Sequence, residues 1–203
     1  MEQANDLNFP PNMRLQFKHA RDLYNRRNFK LALSESISLI NQGFADANVL
    51  AGAIYERGGH GIQQDFQKAF FYYQRAVDEV GAVEGWLGLG RLYFMGTGVD
   101  TDYAAARECY LVVAEDSAHP AVAYLMLGRI HHEGKGVPKD IDMARMYYQK
   151  AANKGAIFCV SYLGSIELES GNIFYGVWLR FKATMMALPI WIKNKNDSRL
   201  RGS

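Results

Sequence analysis

The chain has 203 residues, 49% of them hydrophobic and 22% charged, with a formal net charge of +2. That balance describes a globular protein large enough for a real core, and the charge is too small to argue for nucleic acid by itself. The two cysteines, Cys109 and Cys159, show no CxxC or metal-ligand spacing, which predicts buried free thiols in a reducing compartment.

The first residues, MEQANDLNFPPNMRLQFK, contain no apolar run of signal-peptide type, and residues 1–12 are expected to be disordered. No stretch reaches about 18 consecutive apolar residues, so no membrane span is predicted and the expected location is cytoplasmic. From residue 13 onward, Ala20, Leu23, Tyr24, Phe29, Ala32 and Leu33 recur at helical spacing around a short turn, predicting a first helical hairpin over about 13–43.

The next three segments repeat one another. Glycines stand in the middle of four candidate helices, at Gly52, Gly90, Gly128 and Gly164, spaced by 38, 38 and 36 residues. The first three are followed by Gly59-x-Gly61-Ile62, Gly96-x-Gly98-Val99 and Gly134-x-Gly136-Val137. Then come an aspartate (Asp65, Asp102, Asp140), an alanine (Ala69, Ala106, Ala144) and the pairs Tyr72-Tyr73, Cys109-Tyr110 and Tyr147-Tyr148. Each aspartate is placed to cap a second helix, and the loop glycines to end the first. A mid-helix glycine costs about 1 kcal/mol against alanine, so it needs a packing reason, such as the close approach expected of Gly90 to Ala106 of its partner helix.

This pattern, A-x3-LG-x2-Y-x2-G-x-GV-x2-D-x3-A-x2-WY-x-KAA-x2-G, resembles the Sel1-like repeat, a relative of the tetratricopeptide repeat. Residues 137–155 follow it almost throughout, while His131, Cys109 and VVAED are local departures. The resemblance implies an all-α, right-handed solenoid of about five hairpins (13–43, 45–81, 83–116, 119–155 and 156–187), without a hinge, and a basic tail over 188–203. It also implies a non-enzymatic scaffold that binds a protein or peptide partner, with roles in bacterial envelope, secretion or signalling assemblies and the regulatory subunit of an enzyme complex among the alternatives. Cysteine-rich members credited with β-lactam hydrolysis carry a disulfide in each repeat, and this chain lacks those cysteines.

Catalytic and cofactor signals are weak. Neither Gly96 nor Gly134 has the third glycine or preceding strand of a dinucleotide fingerprint, and Lys135 is followed by glycine, not by the Ser or Thr of a P-loop. The adjacent His131 and His132 point to different sides of a helix and do not converge on a metal as an i,i+4 pair would. No catalytic, cofactor-binding or metal residue is assigned, and no cofactor is expected.

Two surfaces remain. In tetratricopeptide-like solenoids the first helices line a concave groove. There Arg91 and Arg129 hold one repeat position, with Trp86, Phe94, Tyr124 and His132 nearby. Arginines flanked by rings suit an extended peptide carrying a carboxylate or phosphate. The alternative is that they pair with Glu84, Glu133 or other neighbours. The second surface is the C-terminal segment, where Arg180, Lys182, Lys193, Lys195, Arg199 and Arg201, against the one acid Asp197, give a net +5. With Trp178 and Trp191 it reads either as a final helix covering the end of the solenoid or as an anchor for an anionic membrane or another chain, with Pro189 ending the helix. Oligomeric state is not readable.

Overall fold

A computed structural model describes residues 10–115 and 120–193 of the chain. It contains ten helices: α1 (Pro11–Asn25), α2 (Phe29–Asn41), α3 (Ala47–Arg57), α4 (Phe66–Val80), α5 (Val83–Met95), α6 (Tyr103–Glu115), α7 (Pro120–Glu133), α8 (Ile141–Asn153), α9 (Phe158–Glu169) and α10 (Ile173–Lys193). Among the described residues there is no strand, only a single bridge between Gly59 and Ile62. The fold is the all-α helical repeat that the sequence predicts.

Contacts divide the chain into two compact units, residues 1–102 and 103–203. Within the first, helices pack on their chain neighbours from α1 to α5, and the alternate pairs α1–α3 and α3–α5 also touch. Ala20, Leu23, Phe29, Ala32, Leu33, Leu50, Ala51 and Ile54 form its core cluster. In the second unit, α6 through α10 likewise pack in chain order. Its core joins Leu125, Ala144, Tyr148, Ala151, Cys159, Leu163 and Ile166 with Leu179 and Ala183 of α10. Both cysteines are free and buried, and burial pushes the Cys159 thiol up to about 12.

The repeat residues explain the turns. The Asp65 and Asp140 carboxylates each accept a backbone N–H, from Lys68 and Met143, at 2.9 Å, and so cap α4 and α8. The backbone N–H groups of Asp65, Asp102 and Asp140 donate to the carbonyls of Tyr55, Tyr93 and His131, which latches each loop without using a side chain. The Tyr-to-His change at position 131 therefore leaves the latch intact. Gly96 ends α5 in the left-handed region at φ 65°. The second loop glycine allows a close approach instead. A Cβ on Gly98 would lie 2.5 Å from the Phe66 backbone, and one on Gly136 would lie 2.8 Å from Tyr103 Cβ. Its bare backbone seats the loop on the start of the preceding second helix.

Two of the mid-helix glycines, Gly52 and Gly128, have their packing reason in an aromatic ring. A Cβ on Gly52 would meet the Tyr73 ring at 2.8 Å, and one on Gly128 the Tyr148 ring at 2.5 Å. Both glycines make room for the second ring of the aromatic pair. At Gly164 the neighbour is backbone, since a Cβ there would lie 2.8 Å from the Gly176 carbonyl. Gly90 is buried in α5, and Ala69, Ala106 and Ala144 are fully buried.

At the ends, α1 begins at Pro11, where a proline gives up only an N–H that a first helical turn leaves unpaired anyway. Residues 1–9, expected to be disordered, lie outside the described residues. Pro189 does not end the last helix, which runs through it to Lys193. The proline removes a single hydrogen bond in a helix whose last turns are exposed, and the carbonyl left unpaired there can face water.

Candidate partner-binding surface

In the first unit, Arg91 on α5 and Glu56 on α3 form a two-pronged ion pair: Nε donates to Oε1 at 2.5 Å and Nη2 to Oε2 at 2.6 Å. The Tyr73 hydroxyl donates to Oε2 of the same carboxylate at 2.7 Å. Burial, with Glu56 beside it, pushes the Tyr73 phenol well above its ordinary value, so it stays a donor. Its ring lies between two glycines, because Cβ atoms on Gly52 and Gly88 would meet opposite ring edges at 2.8 and 2.6 Å. Over this network opens a pocket of about 300 Å³ lined by Tyr24, Ala53, Glu56, Arg57, Tyr73 and Arg91.

Arg91 thus pairs with Glu56, 35 positions back, one of the other neighbours that the sequence reading allows. A sequence signal for it exists: Glu56 stands four residues after Gly52, where Phe94 and His132 follow their own glycines. Trp86 is half-buried on α5, and Phe94 is buried at 4% exposure, which leaves it no ring to offer a partner.

In the second unit, Arg129 Nε donates to Glu133 Oε1 at 3.3 Å, the neighbour pairing that the sequence allows. The Tyr124 hydroxyl donates to the Ala114 carbonyl at 3.1 Å, and Lys150 lies 5.5 Å from its ring. His132 packs edge-on to Tyr148 and sits 3.0 Å from Glu169 Oε1 through Nε2. Burial works against the Glu169 carboxylate, yet hydrogen bonds from His132 and Lys139 hold it below its ordinary value. His131 turns the other way, buried and stacked on Tyr147. Among the described residues no group of three His, Cys, Asp or Glu is placed to hold a metal ion.

The last helix carries the other candidate surface. Gly176, Leu179 and Ala183 make its buried stripe. Phe174 at 93%, Phe181 at 60%, Trp191 at 52% and Trp178 at 49% lead an exposed apolar face. Trp178 stacks on Tyr175, and Lys182 Nζ stands 5.1 Å from its ring. Arg180 lies along Gly164, while Lys193 closes the helix. Lys195, Arg199 and Arg201 lie outside the described residues. No described helix is long and apolar enough to cross a membrane.

The family profile of the Sel1 repeat matches residues 45–79, 86–114 and 121–155, the segments carrying the loop latches and glycine–tyrosine contacts above. This is a Sel1 repeat protein. Among solved structures, a Sel1 repeat protein from Oxalobacter formigenes matches with a TM-score of 0.70 at 24% identity, over 98% of this chain and 90% of that one. A protective antigen of uropathogenic Escherichia coli strains, with an SLR fold, matches with a TM-score of 0.68 at 25% identity over 78% of this chain. The match spans 34% of that antigen, about a third of its length. A Pseudomonas aeruginosa protein matches at TM-score 0.52 and 18% identity, over 84% of this chain and 64% of that one. No protein of curated function matches the sequence. Sel1 repeats are, as a family, protein–protein interaction modules.

Proposed function

We propose that this Sel1 repeat protein is a non-catalytic adaptor that holds a peptide or protein segment against the first helices of its hairpins. The observation that supports this most is the pocket over Glu56, Tyr73 and Arg91, where a fixed ion pair forms the floor and Ala53 leaves the space open. An arginine already donating to a carboxylate through two N–H groups presents a rigid polar surface, which costs a partner less ordering than a free side chain would. Arg57 at the rim supplies a further polar contact for an extended segment. In the second unit, the first helix α7 carries Arg129 and His132, which offer polar contacts of the same kind.

Ala53→Arg tests this reading, because it fills the pocket while leaving the Glu56–Arg91–Tyr73 network in place. With a partner captured on the wild-type protein, the variant should bind it about tenfold or more weakly at unchanged melting temperature. Undiminished binding would remove this pocket from recognition.

A second reading rests on α10. Residues 173–193 contain no acidic side chain, and the exposed aromatic face lies beside Arg180 and Lys182. That combination suits a peripheral anchor on an anionic bilayer. It predicts binding to phosphatidylserine vesicles that weakens with salt and is lost in Trp178→Ser/Phe181→Ser; no vesicle binding at low salt would exclude it.

A further inference from the structure

The loop of the first Sel1 repeat departs from the other two. Ten positions separate Tyr55 from Asp65, whereas nine separate Tyr93 from Asp102 and His131 from Asp140. The longer loop places four consecutive residues in the left-handed region: Gly58, Gly59, His60 and Gly61, at φ 63°, 88°, 53° and 86°. Where Gly98 and Gly136 press on a preceding helix, Gly61 has open space around it.

Opposite this loop is the turn between α1 and α2, where Arg27 also adopts a positive φ of 62°. Arg27 and His60 are the two non-glycine residues with positive φ among the described residues, and both line the same pocket. Each occupies a conformation in which glycine or asparagine is ordinary and another side chain is strained. The pocket, about 250 Å³, is completed by Phe29, Arg57, Gly58 and Gly59. His60 sits edge-on to Phe29 at 5.4 Å, and the Arg57 guanidinium stands 5.4 Å from the Tyr24 ring. No acidic residue lines this pocket, and none of Arg27, Arg57 and His60 forms an ion pair among the described residues.

We propose that this pocket binds a phosphoryl oxyanion. Arg27, Arg57 and His60 together line one small space and bring it several N–H donors and the positive charge of two guanidiniums. A phosphoryl group answers with three terminal oxygens and about −1.5 to −2 charge, whereas a carboxylate brings two oxygens and a single charge. Arg27 and His60 line this pocket in a strained backbone conformation that glycine would hold without strain, the kind of feature that persists where a site needs the side chain.

The same strain supplies the test. In Arg27→Gly/His60→Gly the left-handed positions receive the residue they favour, so the melting temperature should stay level or rise while the site is lost. Calorimetric titration of the full chain with inorganic phosphate should show saturable binding that falls about tenfold or more in the double variant. Arg26→Gln, in the same turn but outside the pocket, should leave binding unchanged. A phosphoserine peptide and its unphosphorylated twin, titrated alongside, distinguish the source: tighter binding of the phosphopeptide assigns the site to a protein segment, and equal binding to free phosphate. The proposal is overturned if wild-type protein shows no saturable phosphate binding, if acetate binds as well as phosphate, or if Arg26→Gln weakens binding as much as the double variant does.

Discussion

His131 stands where the two preceding repeats carry Tyr55 and Tyr93, buried against Tyr147 with neither ring nitrogen hydrogen-bonded among the described residues. Burial lowers its pKa, the Arg107 charge adds to that, and Asp140 opposes it. The folded value therefore lies below the unfolded one, so the unfolded chain takes up a proton that the folded chain refuses. Stability from this site is full above about pH 6.5 and declines as pH falls below it. His131→Phe keeps a ring and removes two orphaned nitrogens. It should add about 1 kcal/mol and flatten the acid-side decline, read from thermal melts at neutral and mildly acidic pH. Gly88→Ala is the converse case: its methyl would lie 2.6 Å from Tyr73, and the variant should lose about 1–3 kcal/mol in denaturant unfolding. The repeat pattern exposes Gly52 and Gly128, because their neighbour is the equivalent tyrosine of the same repeat, 21 and 20 positions on. Gly88 falls outside that pattern, and only the three-dimensional position of Tyr73 between two first helices shows what it does.

Capping and loop chemistry are legible in the sequence because they are local. Asp140 lies three residues before the N–H it accepts, so its partner is set by helix geometry alone. Asp140→Ala should lower stability by about 1 kcal/mol, measured by chemical denaturation, without changing helix content of the folded state. The Glu56–Arg91 pair is harder to read, since it joins α3 to α5 across 35 residues and depends on the angle between hairpins. The last helix departs from its sequence reading at Pro189 for a related reason. Proline's penalty is largest where its partner carbonyl is buried, and the end of α10 is exposed. Gly164 and Gly176 bring α9 and α10 into near backbone contact, a Cβ on either falling 2.8 Å from the other's carbonyl. Gly176→Leu should therefore cause a large drop in melting temperature, beyond that of a surface change on the same helix such as Phe174→Leu.

Across the molecule, each repeat is built so that fixed packing positions leave one face of every first helix free to vary. Gly52, Gly128, the capping aspartates and the buried alanines hold the scaffold, while the positions beside them change from Ala53 to Arg91, Arg129 and Ser165. Variation on a constant frame is how a repeat protein acquires a particular partner without altering its fold. The α10 face must be separated from this role by surface substitutions, because Leu179 and Ala183 belong to the second unit's core and truncating the helix would remove them. The decisive experiment is hydrogen exchange of the full chain, free and with its captured partner. Protection concentrated on α3, α5 and α7, strongest around Ala53–Arg57 and Arg91, is the predicted result. Protection confined to α10, or to the second helices α4, α6 and α8, would contradict recognition by the first-helix face.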